Sequence, residues 1–458
     1  MPFDLAGLLP IGWESMSVTP ALGLVDGICH LLRNQLRIMH FRSIEALARY
    51  VFTALFGVAL TLPAQGQRVK AGPDPYTKND PRLLAKAGYD NLGPFAFGTG
   101  QTTGGIENLL GTEPLMWVET EHFRLGCALP PVVMKGREQW RLDWQKQIAV
   151  ELKELRTVLP GIKKKPKQLD PWLRTHLYAQ RLEKIYREVS DVLGVDDTFF
   201  PTRPGEATVP KEFRGNGPFF GMTEKFTVLI VRTGASHARY TRAYHGFELA
   251  EPIRIHDVKH GCMYWGCSAE TANGLFRIDH ALHANLAFNI SHNLYTSFRG
   301  FSHDLPAWVV TGLGHWHARN VTPRFPTYDR LDDKDQDPRS VFWQWDVRVH
   351  GLAKNNVFEA VAPFIDRLDA GKYRVEQHMQ SWSLVDFLLK NKKQQMSTFL
   401  HHMKDPFHAR RRLPTAQELL VRQREALIKA FDCDVDDLEV SWRSAVLATK
   451  SKKRRRRG

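Results

Sequence analysis

Two hydrophobic periods alternate along the chain, and their order predicts an α+β protein. Residues 114–124, PLMWVETEHFR, alternate apolar and polar side chains as a half-buried strand does. Residues 225–232, KFTVLIVR, are continuously apolar and β-branched, the pattern of a central strand covered on both faces. A third strand is expected near 260–266. Helical periodicity fills 138–158 and 171–193, and in the second segment Leu177, Leu182, Ile185, Tyr186 and Val189 share one face. A short helix near 236–247 and longer ones at 275–297 and 306–319 follow. After a polar, proline-rich stretch from Asn320 to Arg339, segments 341–352, 373–391, 394–404, 414–431 and 435–448 all read as helices. Pro414 and Asp434 stand where helices should begin. The expected architecture is a small mixed β-sheet carrying a pair of long helices, followed by a mostly helical C-terminal subdomain.

This order suggests boundaries. Residues 1–66 read as a mis-started N-terminus with a signal peptide or anchor, and 67–112 as a loop-rich lead-in. An α/β subdomain spans 113–270, the helix pair 271–320, the helical subdomain 321–448, and a basic tail 449–458. Within the lead-in, Phe97 to Gly105 (FGTGQTTGG) lacks the lysine and the strand-to-helix setting of a phosphate-binding loop. Lys163, Lys164, Lys165 and Lys167 read as a solvated turn.

Charge changes the picture only at the C-terminus. Lys450, Lys452, Lys453 and Arg454 to Arg457 supply seven of the formal +14 charges, so the body of the chain does not announce a nucleic-acid binder. The tail TKSKKRRRRG is a solvated charge run. It should attach to anionic envelope polymers or lipid if the protein is exported, and to nucleic acid if it is not. Export is the expectation. Tyr50 to Pro63 is a 14-residue apolar stretch with Arg42 and Arg49 before it and Ala64-Gln65-Gly66 after it. That is the layout of a secretory signal peptide, with Met39 as the start. An uncleaved anchor or an internal core helix is the alternative.

Without residues 1–66, four cysteines remain: Cys127, Cys262, Cys267 and Cys433. Cys262 and Cys267 flank Met-Tyr-Trp-Gly, read as a tight loop that a disulfide would close in an oxidising compartment. No second closely spaced pair exists to build a zinc ribbon.

The candidate chemistry lies in residues 285–316, NLAFNISHNLYTSFRGFSHDLPAWVVTGLGHW. This stretch resembles the zinc-binding core of gluzincin-fold, peptidase MA-like metallopeptidases of the secreted bacterial type. In that family a helix carries H-E-x-x-H, which places two histidines on one face with the glutamate between them as general base. Here the window reads Phe288-Asn289-Ile290-Ser291-His292. Leu305 to Gly314, LPAWVVTGLG, is similar to the family's L-P-x-W-x-x-E-G-L-A, with Thr311 in place of the third ligand. Weaker similarities at Met116–Phe123, Leu177–Leu193, residues 225–232, Ser381–Leu388, Phe431-Asp432 and Leu438–Arg443 extend the resemblance over roughly residues 115–448.

Carried over position by position, the resemblance makes Phe288 the first ligand, Asn289 the base, His292 the second ligand and Thr311 the third. Phenylalanine cannot ligate zinc, and a carboxamide cannot take a proton from bound water. Loss of a general base alone costs a typical ~10²–10⁴-fold in rate, and loss of the metal removes the activated hydroxide. No catalytic residue and no cofactor are therefore expected. The resemblance implies a non-catalytic envelope protein whose former cleft, around Asn289, His292, Trp308, Thr311 and His315, binds a peptide, polymer or protein partner. Asn289 is expected to bond His292 or nearby backbone.

Two alternatives stay open. One is an active zinc metallopeptidase with rearranged ligands, the set being His292, His315 and Asp304. The other is an anion-binding envelope protein acting through its tail. His280 and His283 can share a helical face, whereas His315 and His317 cannot. Ser291-His292 lacks a nucleophile-elbow frame, and His260 with Cys262 lacks an orienting partner. Phe342, Trp343 and Trp345 read as core or as the lining of a cleft.

Overall fold

A computed structural model describes residues 70–205, 213–325, 327, 344–408 and 414–449, all within the compact unit spanning residues 67–458. The expected signal segment, the basic tail, Phe342 and Trp343 lie outside the described residues.

The continuously apolar segment forms the central strand, as its composition predicts. Six strands make one sheet: β1 (Tyr89–Asn91), β2 (Met116–Thr120), β3 (Phe123–Cys127), β4 (Phe226–Val231), β5 (Ile253–Asp257) and β6 (Cys262–Ser268). Their order is β1-β2-β3-β4-β6-β5. Every residue of β4 is buried, and it pairs in parallel with β3 on one side and β6 on the other. β1 and β2 extend the sheet antiparallel at one end, and β5 closes it antiparallel to β6 at the other.

Both faces of this sheet are covered, which is why β4 shows no alternation. Val228, Ile230, Trp265 and Cys267 belong to the main core with helices α3 (Pro171–Leu193) and α5 (Asp279–Ser297). Leu229, Val231 and Tyr264 face the other way, against Ile106 and Leu110 of α1 (Thr103–Leu110) and Tyr240 of α4 (Gly234–His245). The other helices of eight or more residues are α2 (Gln139–Val158), α6 (Ala307–Val321), α7 (Trp345–Lys354), α8 (Val375–Asn391), α9 (Lys393–His408), α10 (Ala416–Phe431) and α11 (Val435–Ala448). The fold is α+β, with a mixed sheet followed by a helical C-terminal region.

Local sequence sets several ends and contacts. Asp434 caps α11 and exchanges hydrogen bonds with Asp437, while Thr415 does the same for α10 with Glu418. Gly312 lets α6 approach α8: a Cβ there would lie 2.5 Å from the Ser381 carbonyl oxygen. α5 is anchored at its first residue. Asp279 is buried between Arg174 and Arg181 of α3, at 3.1 and 3.0 Å, and accepts from Trp144 of α2 at 3.2 Å. The two guanidiniums hold its carboxyl well below the usual range despite burial.

Three sequence expectations are corrected. The single strand expected over 114–124 is a hairpin, β2 and β3, turning at Glu121-His122, with Met116 opposite Cys127. The polar run from Glu119 to His122 covers both the end of β2 and the turn, and neither Gly, Pro nor Asn marks the break. Edge strand β5 was not expected. The Cys262–Cys267 disulfide does not form, and both thiols are free. These residues open and nearly close strand β6 rather than flanking a loop. Five residues of strand separate them by roughly 17 Å and leave them on opposite faces. Among the described residues, no helix is long and apolar enough to cross a membrane.

Candidate functional site

Every residue of α5 is buried except His292, which keeps an exposed edge. A helix so enclosed gives access at one point only, and that point is the histidine on which the sequence resemblance rests. Its Nδ1 is buried and has no hydrogen-bond partner among the described residues. Burial, reinforced by the positive charge of Arg254 and by His303, holds the imidazole neutral, with a pKa well below its ordinary value.

The position expected of the base is occupied differently. Asn289 is buried, and its amide nitrogen donates to both the carbonyl and side-chain oxygens of Asn285, each at 2.9 Å. Its own side-chain oxygen accepts from the Arg254 guanidinium, reaching across from β5. The expected bond to backbone is thus made, and that to His292 is replaced by one to Arg254. The guanidinium carbon lies 5.9 Å from the Phe288 ring centre. On the same face of β5, His256 stands 4.2 Å from Phe301 between ring centres, and Phe301 stands 5.0 Å from His303. His303 is exposed, and Arg254 and His256 are half-buried.

Phe288 fills the first-ligand position as packing. It is buried against His315, with ring centres 4.8 Å apart. Gly314 admits it, since a Cβ there would lie 2.9 Å from the phenyl ring. Both nitrogens of His315 are used, Nδ1 with Thr327 Oγ1 and Nε2 with His378 Nδ1, each at 3.0 Å. Burial, with His378 and Arg319 adding to it, drives the His315 pKa well below its usual value, and burial takes His378 to about 4.

The predicted cleft is therefore redrawn. Trp308, Thr311 and His315 belong to the interior, not to an accessible surface. Trp308 is fully enclosed and directs its indole N–H at Gln423 of α10. Asn289 and His292 stay at the site, joined by Arg254, His256, Phe301 and His303, none of which the motif comparison singled out.

Two members of the rearranged metal set have other partners in the structure. His315 is committed to Thr327 and His378. Asp304 is paired at 3.0 Å with Lys404 of α9, neither side chain being exposed. His280 bonds the Val321 carbonyl, and His317 bonds Tyr295 and Glu188. Trp345 is core.

A second cluster, missed in sequence, lies at the β2–β3 turn. Single ligand atoms of Glu121, His122 and Asp197 lie within 4.8 Å of one another, a spacing at which a divalent cation could be held. However, the ring of His122 already bonds Glu183 through Nδ1 at 2.7 Å and Asp197 through Nε2 at 3.3 Å, and stacks on Tyr186. Burial alone would lower its pKa, but Asp197 and Glu183 raise it to about 9. The imidazolium is itself the cation of this cluster. Glu121-His122 and Asp197 are far apart in sequence, and only the hairpin turn brings them together.

No protein-family model and no curated protein matches the chain.

Proposed function

We propose that the chain is a non-catalytic protein built on a gluzincin-like pair of helices, and that it binds a peptide or polymer at the surface beside His292. One observation carries this reading: the position of the general base holds a carboxamide clamped by Asn285 and used to position Arg254. A water-splitting site needs a carboxylate and ligated zinc there. Instead, the first-ligand position is packed shut by Phe288, and the nearest alternative ligands have other partners. The reading extends to location, with the segment around residues 39–66 directing export and the basic tail holding the protein at anionic envelope polymers or lipid.

The test is metal content joined to activity. Protein purified without added metal should contain far less than one zinc per chain and should leave unstructured peptides uncut. Stoichiometric zinc removed by a chelator together with a peptidase activity would overturn the reading.

A further inference from the structure

The turn that joins α2 to α3 concentrates positive charge without neutralising it. Lys163, Lys164, Lys165 and Lys167 are all exposed, and among the described residues no carboxylate pairs with any of them. Elsewhere exposed lysines find carboxylates, Lys390 in Asp386 and Lys393 in Asp191.

This turn is also held at both ends. Ile162 and Leu169 are buried in one apolar cluster with α2 and α3. The Met134 N–H donates to the Lys167 carbonyl at 3.0 Å, and Val133 pairs antiparallel with Gln168. A backbone fixed in this way keeps like charges close at an electrostatic cost, which a bound anion offsets.

Three of the four lysines converge. A cavity of about 520 Å³ is lined by Lys163, Lys165 and Lys167 together with Gly161, Tyr76 and Asp170. Asp170 is the one carboxylate of this lining, and it is already engaged. It accepts from the Leu173 N–H at 3.0 Å as the cap of α3, and from the Tyr76 hydroxyl. Three ammonium groups against one occupied carboxylate leave the cavity with a net positive charge. Its volume suits a small molecule. The lining holds no guanidinium, so nothing favours a planar carboxylate, whereas ammonium groups act on phosphate as point charges.

We propose that this cavity binds a diphosphate group, with Lys163, Lys165 and Lys167 supplying the charge. The site lies on other elements than His292 and does not rest on the reading above.

The test is a ³¹P NMR titration of the full chain with pyrophosphate, orthophosphate and ADP at low ionic strength. Pyrophosphate should bind at least about tenfold more tightly than orthophosphate. Raising salt to ~0.5 M should weaken that binding, because exposed charges are screened. Lys163→Gln/Lys165→Gln/Lys167→Gln should weaken pyrophosphate binding at least about tenfold. Its melting temperature should not fall, since only exposed like charges are removed. The basic tail also attracts anions, so Lys450→Gln/Lys452→Gln/Lys453→Gln is the charge-matched control, expected to change the affinity by less than about twofold. ADP binding as tightly as pyrophosphate would support the proposal with an organic diphosphate as ligand. Weaker binding of ADP would support it with the inorganic ion.

Equal losses in the two triple variants, equal affinity for orthophosphate and pyrophosphate, or no binding of either would overturn the inference. None of these outcomes touches the non-catalytic reading, which metal content and peptidase activity decide.

Discussion

Asp304 and Lys404 form an ion pair 3.0 Å long in which neither side chain meets solvent, tying α9 to the connection between α5 and α6. Lys404 also donates to the Thr296 carbonyl at 2.6 Å, at the end of α5. Removing one partner leaves a buried charge uncompensated. Lys404→Met should cost about 3–5 kcal/mol in denaturant unfolding. The double variant Asp304→Leu/Lys404→Met should be less destabilised than the two single losses combined. Strict additivity would show that the pair does not hold these elements together.

Phe288 and Gly314 should be energetically coupled. Phe288→Ala should lose about 3–5 kcal/mol by opening a cavity. Gly314→Ala should lose about 1–3 kcal/mol by overpacking against the phenyl ring. In the Phe288→Ala background the added methyl has room, so the second cost should largely vanish. A double-mutant cycle of unfolding free energies measures this directly, and an uncoupled cycle would contradict the packing of α5 on α6.

The His122 cluster should give stability a defined pH window. The folded pKa of about 9 exceeds the unfolded value, so the contribution is fully present below about pH 6.5 and is lost as pH rises through 9. Glu183 and Asp197 have lowered pKa values, so their share is present above the ordinary carboxylate range and lost as pH falls below it. The half-exposed Asp197 tempers the magnitude to about 2 kcal/mol. His122→Gln should flatten the difference in stability between pH 6.5 and 9. An unchanged slope would remove the imidazolium from the account.

Asp279 should be essential to the seating of α5. Asp279→Asn removes the carboxylate that Arg174 pairs with and one of the two that Arg181 pairs with, the other being Glu151 at 2.8 Å, and should cost about 3–5 kcal/mol. Thermal melting and near-ultraviolet circular dichroism would register the loss. A variant as stable as wild type would mean that the Asp279 charge does not hold α5 in place.

The elements most legible in sequence were those whose pattern reflects a single environment. β4, apolar but for Thr227 and rich in β-branched residues, reads as central because it is too short for a helix and shows no exposed face. The C-terminal helices are amphipathic, so their periods show. Edge strand β5 carries a strand's alternation, Ile253 and Ile255 with Arg254 and His256, but only over five residues beside Pro252, too short a run to stand out. Its significance lies in a contact with Asn289, 35 positions away. The helix pair was legible as helices but not as a site. α5 is buried nearly all round, so periodicity cannot say which face looks outward. The resemblance pointed to Trp308, Thr311 and His315 as accessible, whereas packing by α8 and α10 encloses them. Only His292, of the residues named in advance, both reaches the surface and meets Arg254.

The free thiols of the sheet have one more consequence. Cys127 and Cys267 both stand opposite Ile230 from its two flanking strands, roughly 10 Å apart, and Cys262 lies on the other face. Among the described residues, no covalent staple fastens the fold, so reductant should leave its melting temperature unchanged. Folding of the described residues therefore asks for no oxidant, whether its surroundings are reducing or oxidising.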